Sequence, residues 1–323
     1  MTSRTTLLGR VVTPDMQPLD GLPLLAPITS QEERHAPSQT RSLLETGIKM
    51  LDLCVPLSEG GLHQIIGGYR MGKVVLLAEV ISHFAQQQQG CAVWVASAEQ
   101  HAEGHHMVEE LREANALQHM IFIIGQPDQA IATLQAGRTL AQMLAQEGSP
   151  VFMGIEEELV QEGTLPYLSP RDLATRIIVS HDMAHHDLPT SLATDATIVL
   201  SRTLADQQLF PAIDLSRSRS ALLECEEVDT AHVRLAAAVR MALLDQPQTH
   251  RSQLLQLFCT QPFFVSEPYT AQPGVSVPLA ETLQDFATIL EGTYDDVPEG
   301  LLTYQGRLPV HPYVMERQSR YLG

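Results

Sequence analysis

The sequence has few basic residues, and this shortage narrows the classes of partner that fit it. Only 20 Lys and Arg stand against 38 Asp and Glu, so the formal net charge is −18 with His neutral. Nucleic acid is not an expected partner, because neutralising its phosphates takes clustered Lys and Arg. A nucleotide is still compatible with this charge, since one Lys and a ring of backbone N–H groups are enough to hold a phosphate.

Cysteine and long apolar runs are also scarce. None of the four cysteines is spaced as C-x-x-C, so the sequence predicts neither a zinc site nor a disulfide framework. We expect all four to be small core residues in a reducing compartment. The N-terminus has no apolar signal-peptide core, and no run reaches membrane-spanning length. We therefore predict a soluble, cytoplasmic protein with no direct membrane insertion.

The most informative stretch that is present is GGYRMGKV, at positions 67–74. It fits the phosphate-binding pattern G-x-x-x-x-G-K except at the last position, where Val replaces Ser or Thr. HQII before it suits a buried strand, and VVLLAEVISHFAQQ after it suits a helix, so the motif has the strand–loop–helix setting that it needs. The residues predicted to bind phosphate are Gly67, Gly68, Tyr69, Arg70, Met71, Gly72, Lys73 and Val74.

Lys73 is the strongest functional candidate in this loop. Its ammonium would lie between the β- and γ-phosphates, while the loop N–H groups hold the anion at a helix N-terminus. The alternative is a surface lysine beside a glycine-rich turn.

The chain of 323 residues favours two domains over one. Residues 1–40 are proline-rich and predict an extended lead-in, in which 9–12 is expected as an edge strand. Residues 41–225 alternate apolar strands with helices, which predicts an α/β domain with a mainly parallel sheet. Residues 226–323 have helical periodicity and predict an all-α C-terminal domain with a tail. Ligands bind beyond the carboxyl ends of the strands in such sheets, where the phosphate loop falls.

Several segments, in order along the chain, resemble the catalytic (beta) subunit family of F-type ATP synthases. They are LETGIKMLDLCVPLSEGG, ASAEQHAEG, ATDATIVLSRTLADQQLFPAID, TQPFFVSEPYTAQPG and PLAETLQDFATILEG. The resemblance implies a RecA-like P-loop domain followed by a helical bundle, with ATP or ADP and Mg²⁺ as ligands. It also implies an oligomer, formed either with copies of the chain or with a paralogous alpha- or beta-like subunit. The chain looks like a shortened, divergent member without the family's N-terminal barrel.

The resemblance assigns roles to five further positions. Glu99 matches the family's catalytic glutamate, which orients the attacking water; the alternative is a solvated loop glutamate. Glu156 follows the VFMGI strand at the acidic Walker B position, where the family has Asp, and would hold a metal-bound water. Phe210 matches the aromatic that stacks on adenine, and Phe263 and Tyr269 match two aromatics that close the same pocket. Each aromatic could instead be a plain core residue.

Other positions depart from the family pattern. Val74 replaces the threonine that ligates Mg²⁺, and Gln100 and Val160 fall where the family has arginines that contact phosphate. The segment between 157 and 176 lacks the family's shaft-facing loop, and ALLDQPQTHRSQ replaces the segment that contacts the rotor. These departures predict a weakened Mg²⁺ site, weak or no ATP hydrolysis and no rotor coupling.

The sequence also contains two groups of basic residues whose roles have to be considered. Arg217 and Arg219 lie near, but two or more residues from, the position of the family's arginine finger, so they either contact a neighbour's phosphate or are ordinary exposed arginines. Two histidine clusters, 101/105/106 and 181/185/186, lack the spacing of a metal site and are expected at the surface.

Three functions are consistent with the sequence: a nucleotide-binding ring subunit that hydrolyses ATP slowly or not at all, a working ATPase that uses Glu99, and a scaffold that holds no nucleotide.

Overall fold

A computed structural model of the chain describes residues 7–24, 42–87, 89–98, 111–113, 116–168, 174–180, 189, 191–245 and 249–310. Glu99, Gln100, both histidine clusters and the predicted tail from residue 311 onward lie outside these ranges. Elements are numbered below in chain order within the described residues.

Within the described residues, an eight-stranded sheet forms the centre of the molecule. Its strands are β1 Val11–Val12, β4 Leu62–Ile66, β5 Cys91–Ser97, β6 Met120–Gly125, β7 Val151–Glu156, β8 Thr175–Ser180, β9 Ala196–Val199 and β10 Arg219–Ser220. A separate two-stranded ribbon pairs β2 Leu43–Leu44 with β3 Leu57–Ser58. The order in the large sheet is β1-β6-β5-β7-β8-β4-β9-β10, and all neighbouring pairs are parallel except β9 and β10. The predicted mainly parallel sheet is confirmed, and so is the edge strand within residues 9–12.

The helices are α1 Lys49–Cys54, α2 Lys73–Gln87, α3 Ala130–Gln146, α4 Arg202–Asp206, α5 Thr230–Leu244, α6 His250–Phe258, α7 Glu267–Thr270 and α8 Leu279–Leu290. Alternate side chains of β5 face two separate apolar cores. Trp94 lies in the core that includes α2, whereas Val93 and Val95 lie in the core that includes α3. Because α2 and α3 cover opposite faces, the strands between them are buried on both sides and read as continuous apolar runs.

Helices α5, α6 and α8 pack on one another, and α5 and α8 also pack on α1. Their sequences contain the stop and start signals that helices use: Asp229 and Thr249 each accept an N–H in the first turn, and Gly292 follows α8 with a φ of +82°. The predicted C-terminal helices are therefore confirmed as helices.

Helix α1 was not predicted, because all six of its residues are buried and no amphipathic stripe marks it. Its Asp52 carboxylate accepts hydrogen bonds from the Thr46 N–H and hydroxyl and from the Gly47 N–H. Burial raises the pKa of Asp52 to about 7 against the effect of these bonds. The bonds fix the loop that leads into α1, and the helix itself packs on α5 and α8.

The expectation that every cysteine is a core residue holds in part. Cys54 and Cys91 are buried, but Cys225 and Cys259 are half-buried, and all four are free thiols. Among the described helices, none combines the length and the hydropathy needed to cross a membrane.

Candidate nucleotide-binding site

The predicted phosphate loop joins β4 to α2 at the carboxyl edge of the parallel sheet. Two of its glycines lie where a side chain would not fit. A Cβ atom on Gly67 would come within 2.9 Å of the Leu200 side chain, and one on Gly72 within 3.2 Å of the Phe210 ring. Gly72 also has a φ of +83°, which glycine adopts at no steric cost. Helix α2 then begins at Lys73, so the loop leads directly into a helix N-terminus.

The loop is held in place by neighbouring side chains. Arg202 donates from Nη2 to the Tyr69 carbonyl at 2.7 Å, and the Gly68 N–H donates to the Met71 sulfur at 3.1 Å. Tyr69 and Arg70 are exposed, and the Arg70 guanidinium lies 5.3 Å from the centre of the Tyr69 ring. Both side chains therefore lie at the rim of the loop, where they can contact a ligand or solvent.

Lys73 and Glu156 place opposite charges at the same edge of the sheet. Lys73 is buried and donates from Nζ to the Ser180 carbonyl, at the end of β8, at 3.1 Å. Glu156 ends β7 and accepts the Ser97 N–H at 3.1 Å. Burial raises the pKa of Glu156 to about 7, while the Ser97 N–H and the Lys73 charge favour its ionised form. Such a carboxyl group can change its protonation state near neutral pH.

The structure brings the predicted aromatic residues to the phosphate loop. A cleft of about 1000 Å³ is lined by residues 68–76 on one side and by Phe210, Phe263 and Tyr269 on the other. Phe263 is only 4% exposed, whereas Tyr269 is 68% exposed at the rim. A volume of this size with few polar groups is typical of a small-molecule site. The cleft has room for a flat apolar group at the aromatic wall and for an anion at the loop.

Comparison with known proteins identifies the family. A model of the ATP synthase alpha/beta family nucleotide-binding domain matches residues 47–157. The ATP synthase subunit beta of Coprothermobacter proteolyticus is 31% identical over an alignment of 323 residues, which covers 81% of this chain and 71% of that protein. The chain belongs to the ATP synthase alpha/beta family. The RecA-like nucleotide-binding fold expected from the resemblance is thereby confirmed.

Val74, which stands where the pattern G-x-x-x-x-G-K-[ST] has Ser or Thr, lies in the first turn of α2 and lines the cleft. Its side chain is half-buried and packs against the apolar core beneath the loop. A valine offers no oxygen to a metal ion. Val160 is 5% exposed and lies in the apolar core that includes α3. Its side chain carries no charge, so it cannot contact phosphate as an arginine would.

The residues therefore fit Mg²⁺ only in part. Glu156 could hold a metal-bound water through its carboxylate, and nucleotide phosphates would supply other oxygens. No group of three or more His, Cys, Asp and Glu that could hold a metal ion is found among the described residues. Both Glu99 and Gln100 fall outside them, and β5 ends two residues before Glu99.

Arg217 and Arg219 do not line the cleft. Both are exposed, and Arg219 lies on β10, the edge strand of the described sheet. In this chain they are therefore surface residues, and a contact with a neighbouring subunit's nucleotide remains a prediction.

Sequence reasoning missed one further aromatic residue of the cleft. Tyr304 lines it, is half-buried, and donates from its hydroxyl to the Gln208 carbonyl. Nothing in the local pattern around Tyr304 distinguishes it from a loop residue, because the contact joins positions 96 residues apart.

Proposed function

We propose that this chain is an adenine-nucleotide-binding subunit of an oligomeric complex, one that hydrolyses ATP weakly or not at all and is not coupled to a rotor. The observation that carries the proposal is the single cleft in which the phosphate loop, Lys73 and the aromatic wall of Phe210, Phe263 and Tyr269 meet. Adenine would stack on the aromatic wall, and the β- and γ-phosphates would lie at the loop. The similarity to an ATP synthase beta subunit supports this ligand.

The residues that would bind the nucleotide keep the types that the phosphate-loop pattern asks for, except at Val74. The loop would bind the phosphates through Gly67, Gly68, Tyr69, Arg70, Met71, Gly72, Lys73 and Val74, with most of the contacts from backbone N–H groups. Lys73 already has its ammonium at the carboxyl edge of the sheet, 3.1 Å from the Ser180 carbonyl. A bound phosphate would give this charge a stronger partner than a neutral carbonyl.

The groups that would carry out catalysis are less complete than the groups that would bind the nucleotide. Glu156 is the one metal-site residue proposed here, and Val74 presents methyl groups where an oxygen would be needed. Loss of one group that stabilises the transition state costs ~10²–10³ in rate, and Val74, Gln100 and Val160 each replace a group that the resemblance implies. Glu99 would orient the attacking water. Because Lys73, Glu99 and Glu156 are retained in type, a working ATPase is the second candidate.

We further propose that residues 41–225 form the nucleotide-binding domain and residues 226–323 the helical domain, after a lead-in at 1–40. The proposed partners are copies of this chain or a paralogous alpha- or beta-like subunit. Arg217 and Arg219, both exposed, would be available to such a neighbour. Light scattering that shows only monomer, with nucleotide present and candidate partners mixed in, would count against the oligomer.

A titration with a fluorescent ATP analogue, with and without Mg²⁺, tests the binding proposal. We expect saturable binding below millimolar concentration in both conditions, weakened at least tenfold by Lys73→Ala because a charged hydrogen bond is worth about 1.5–3 kcal/mol. Arg234→Ala is the matched control, since Arg234 is an exposed cation on α5 outside the cleft. Absence of binding below millimolar in both conditions would leave the scaffold as the remaining function.

A further inference from the structure

One segment of the helical region forms the inner part of the aromatic wall. Residues 258–265 run from the end of α6 into the short turn Phe264–Ser266, and they carry Phe263. We call residues 258–265 the base wall. Phe263 lines the cleft, so the backbone on both sides of it determines where its ring lies.

A buried cation holds the first part of the base wall. Lys49, on α1, is fully buried. Its Nζ donates to the carbonyls of Phe258 at 2.6 Å, Thr260 at 3.3 Å and Gln305 at 2.6 Å, and it lies 3.7 Å from the centre of the Phe258 ring. Burial lowers the pKa of Lys49 to about 7, but three carbonyl oxygens and an aromatic face all favour the charged form.

A buried carboxyl group holds the last part. Glu79, on α2, is 3% exposed. Its two carboxylate oxygens accept the N–H groups of Phe264 at 3.2 Å and Val265 at 3.1 Å. Burial raises the pKa of Glu79 to about 7, while these two N–H groups lower it. An anion that accepts the N–H groups of a first helical turn stabilises that turn.

Between Lys49 and Glu79, Gln261 connects the base wall to α1. Its side-chain oxygen accepts the Lys49 N–H at 2.9 Å, and its amide nitrogen donates to the Gly47 carbonyl at 2.7 Å and the Val275 carbonyl at 2.6 Å. Gln261 is 2% exposed, so loss of any of these bonds would leave a buried polar group unsatisfied. The backbone on both sides of Phe263 is thus fixed by hydrogen bonds to α1 and α2.

Helix α2, which carries Glu79, also sets the position of the phosphate loop. Helix α2 begins at Lys73, and Glu79 lies six residues later, which is ~9 Å along the helix axis. Helix α2 therefore fixes the positions of both the phosphate end and the base end of the cleft. Neither Lys49 nor Glu79 lines the cleft, so any effect that they have on a ligand must pass through the base wall.

We propose that Lys49 and Glu79 are positioning residues that fix the base wall relative to the phosphate loop, and that they therefore strengthen binding of the nucleoside part of a nucleotide but not of its phosphates. The inference rests on the proposed function, because it assumes that a base stacks on Phe263. It predicts a selective effect: variants at these positions should weaken binding of ATP and leave binding of inorganic tripolyphosphate unchanged.

Calorimetric titration with ATP and, separately, with inorganic tripolyphosphate tests this selectivity. Glu79→Gln keeps the shape of the side chain but replaces one acceptor oxygen with a donor, and Lys49→Met keeps an apolar chain of similar length without the ammonium. We expect each variant to lower ATP affinity by about tenfold, the scale of a lost charged hydrogen bond, and to leave tripolyphosphate affinity within about twofold of the unmodified protein.

The matched control is Arg240→Met. Arg240 also donates to three backbone carbonyls, those of Leu215, Cys54 and Ser218, but none belongs to the base wall. We expect this variant to lose stability without a change in the ratio of ATP affinity to tripolyphosphate affinity. Circular dichroism and thermal unfolding identify any variant that fails to fold, and Glu79→Gln decides the question if Lys49→Met does not fold.

The outcomes separate the two proposals. If the unmodified protein binds neither ligand, the proposed function is wrong. If it binds both, and Glu79→Gln either lowers both affinities equally or lowers neither, the assignment of positioning residues is wrong while nucleotide binding stands. A ratio that falls in Arg240→Met as much as in Glu79→Gln would also refute the assignment.

Discussion

Val74→Thr isolates the departure that separates this loop from a complete magnesium-binding motif. The change would place one hydroxyl in the first turn of α2, directly after Lys73 and facing the cleft that Val74 lines. Thr and Val have nearly the same shape, so the backbone of the loop should not move. The variant thus adds one possible metal ligand and removes one methyl group from the core contact that Val74 makes.

Two magnitudes follow for this variant. In a fully buried contact, exchanging a methyl group for a hydroxyl costs about 0.8 kcal/mol for the lost methyl and about 1–3 kcal/mol more if the hydroxyl finds no partner; the cost is smaller here because Val74 is only half-buried. A new oxygen ligand should raise the Mg²⁺ dependence of ATP affinity by about tenfold or more, since even groups that only support a metal ligand are worth 10–100-fold. In the unmodified protein we expect Mg²⁺ to change ATP affinity by no more than about threefold, a free-energy difference of ~0.6 kcal/mol.

The measurement is the ratio of ATP affinity in Mg²⁺ to ATP affinity in chelator, for the unmodified protein, Val74→Thr and Val233→Thr. Val233 is the matched control because it is also a half-buried valine in the first turn of a helix, here α5, and does not line the cleft. A ratio that rises in Val74→Thr alone supports the reasoning. An unchanged ratio in Val74→Thr, or an equal rise in both variants, would refute the view that the missing hydroxyl limits metal binding.

Three further predictions concern turnover, pH and the aromatic wall. ATP turnover by the unmodified protein should stay well below about 1 s⁻¹, the low end of ordinary enzymes; a rate of about 1 s⁻¹ or more that Lys73→Ala abolishes would instead establish a working ATPase. Because burial raises the pKa of Glu79 from 4.5 to about 7, the folded protein binds more protons than the unfolded chain between these values, so this group's contribution to stability falls by up to ~3 kcal/mol as pH rises through that window. Urea unfolding at pH 5 and pH 8 should show a smaller pH dependence in Glu79→Gln than in the unmodified protein, and an identical dependence would contradict the assigned shift. Phe210→Ala should weaken ATP binding by about 1–3 kcal/mol, the value of one base–aromatic stack, whereas Tyr304→Phe, which keeps the ring but loses the bond to the Gln208 carbonyl, should cost less than half of that in the same titration.

Most of the sheet could be predicted from the sequence because its strands are buried on both faces. Apolar runs such as Met120–Gly125 and Val151–Glu156 have no solvent side to interrupt them, and glycine and proline mark their ends. The phosphate loop was also predictable, since its strand and helix flank it directly. Helix α1 was not, because its residues are apolar or charged without periodicity yet are all buried.

The aromatic wall shows where local patterns stop being informative. Phe263 and Tyr269 were assigned through resemblance, since nothing in their own neighbourhood places them near residue 73. Lys49 and Glu79 would be expected at the surface from their residue type, yet both are buried. Their partners are backbone groups 185 to 256 residues away along the chain. Contacts of that range depend on the packed fold, which no single stretch of sequence encodes.

The central claim is that the cleft holds ATP but turns it over slowly, and one measurement tests both parts. The protein is mixed with radiolabelled ATP and Mg²⁺, and bound and free ATP and ADP are separated and counted over minutes. We predict bound label that is still mainly ATP after a minute, and that is lost in Lys73→Ala. An ordinary enzyme, at about 1–10³ s⁻¹, would convert it within seconds. Complete conversion to ADP on that shorter scale, or no bound label at all, would contradict the account.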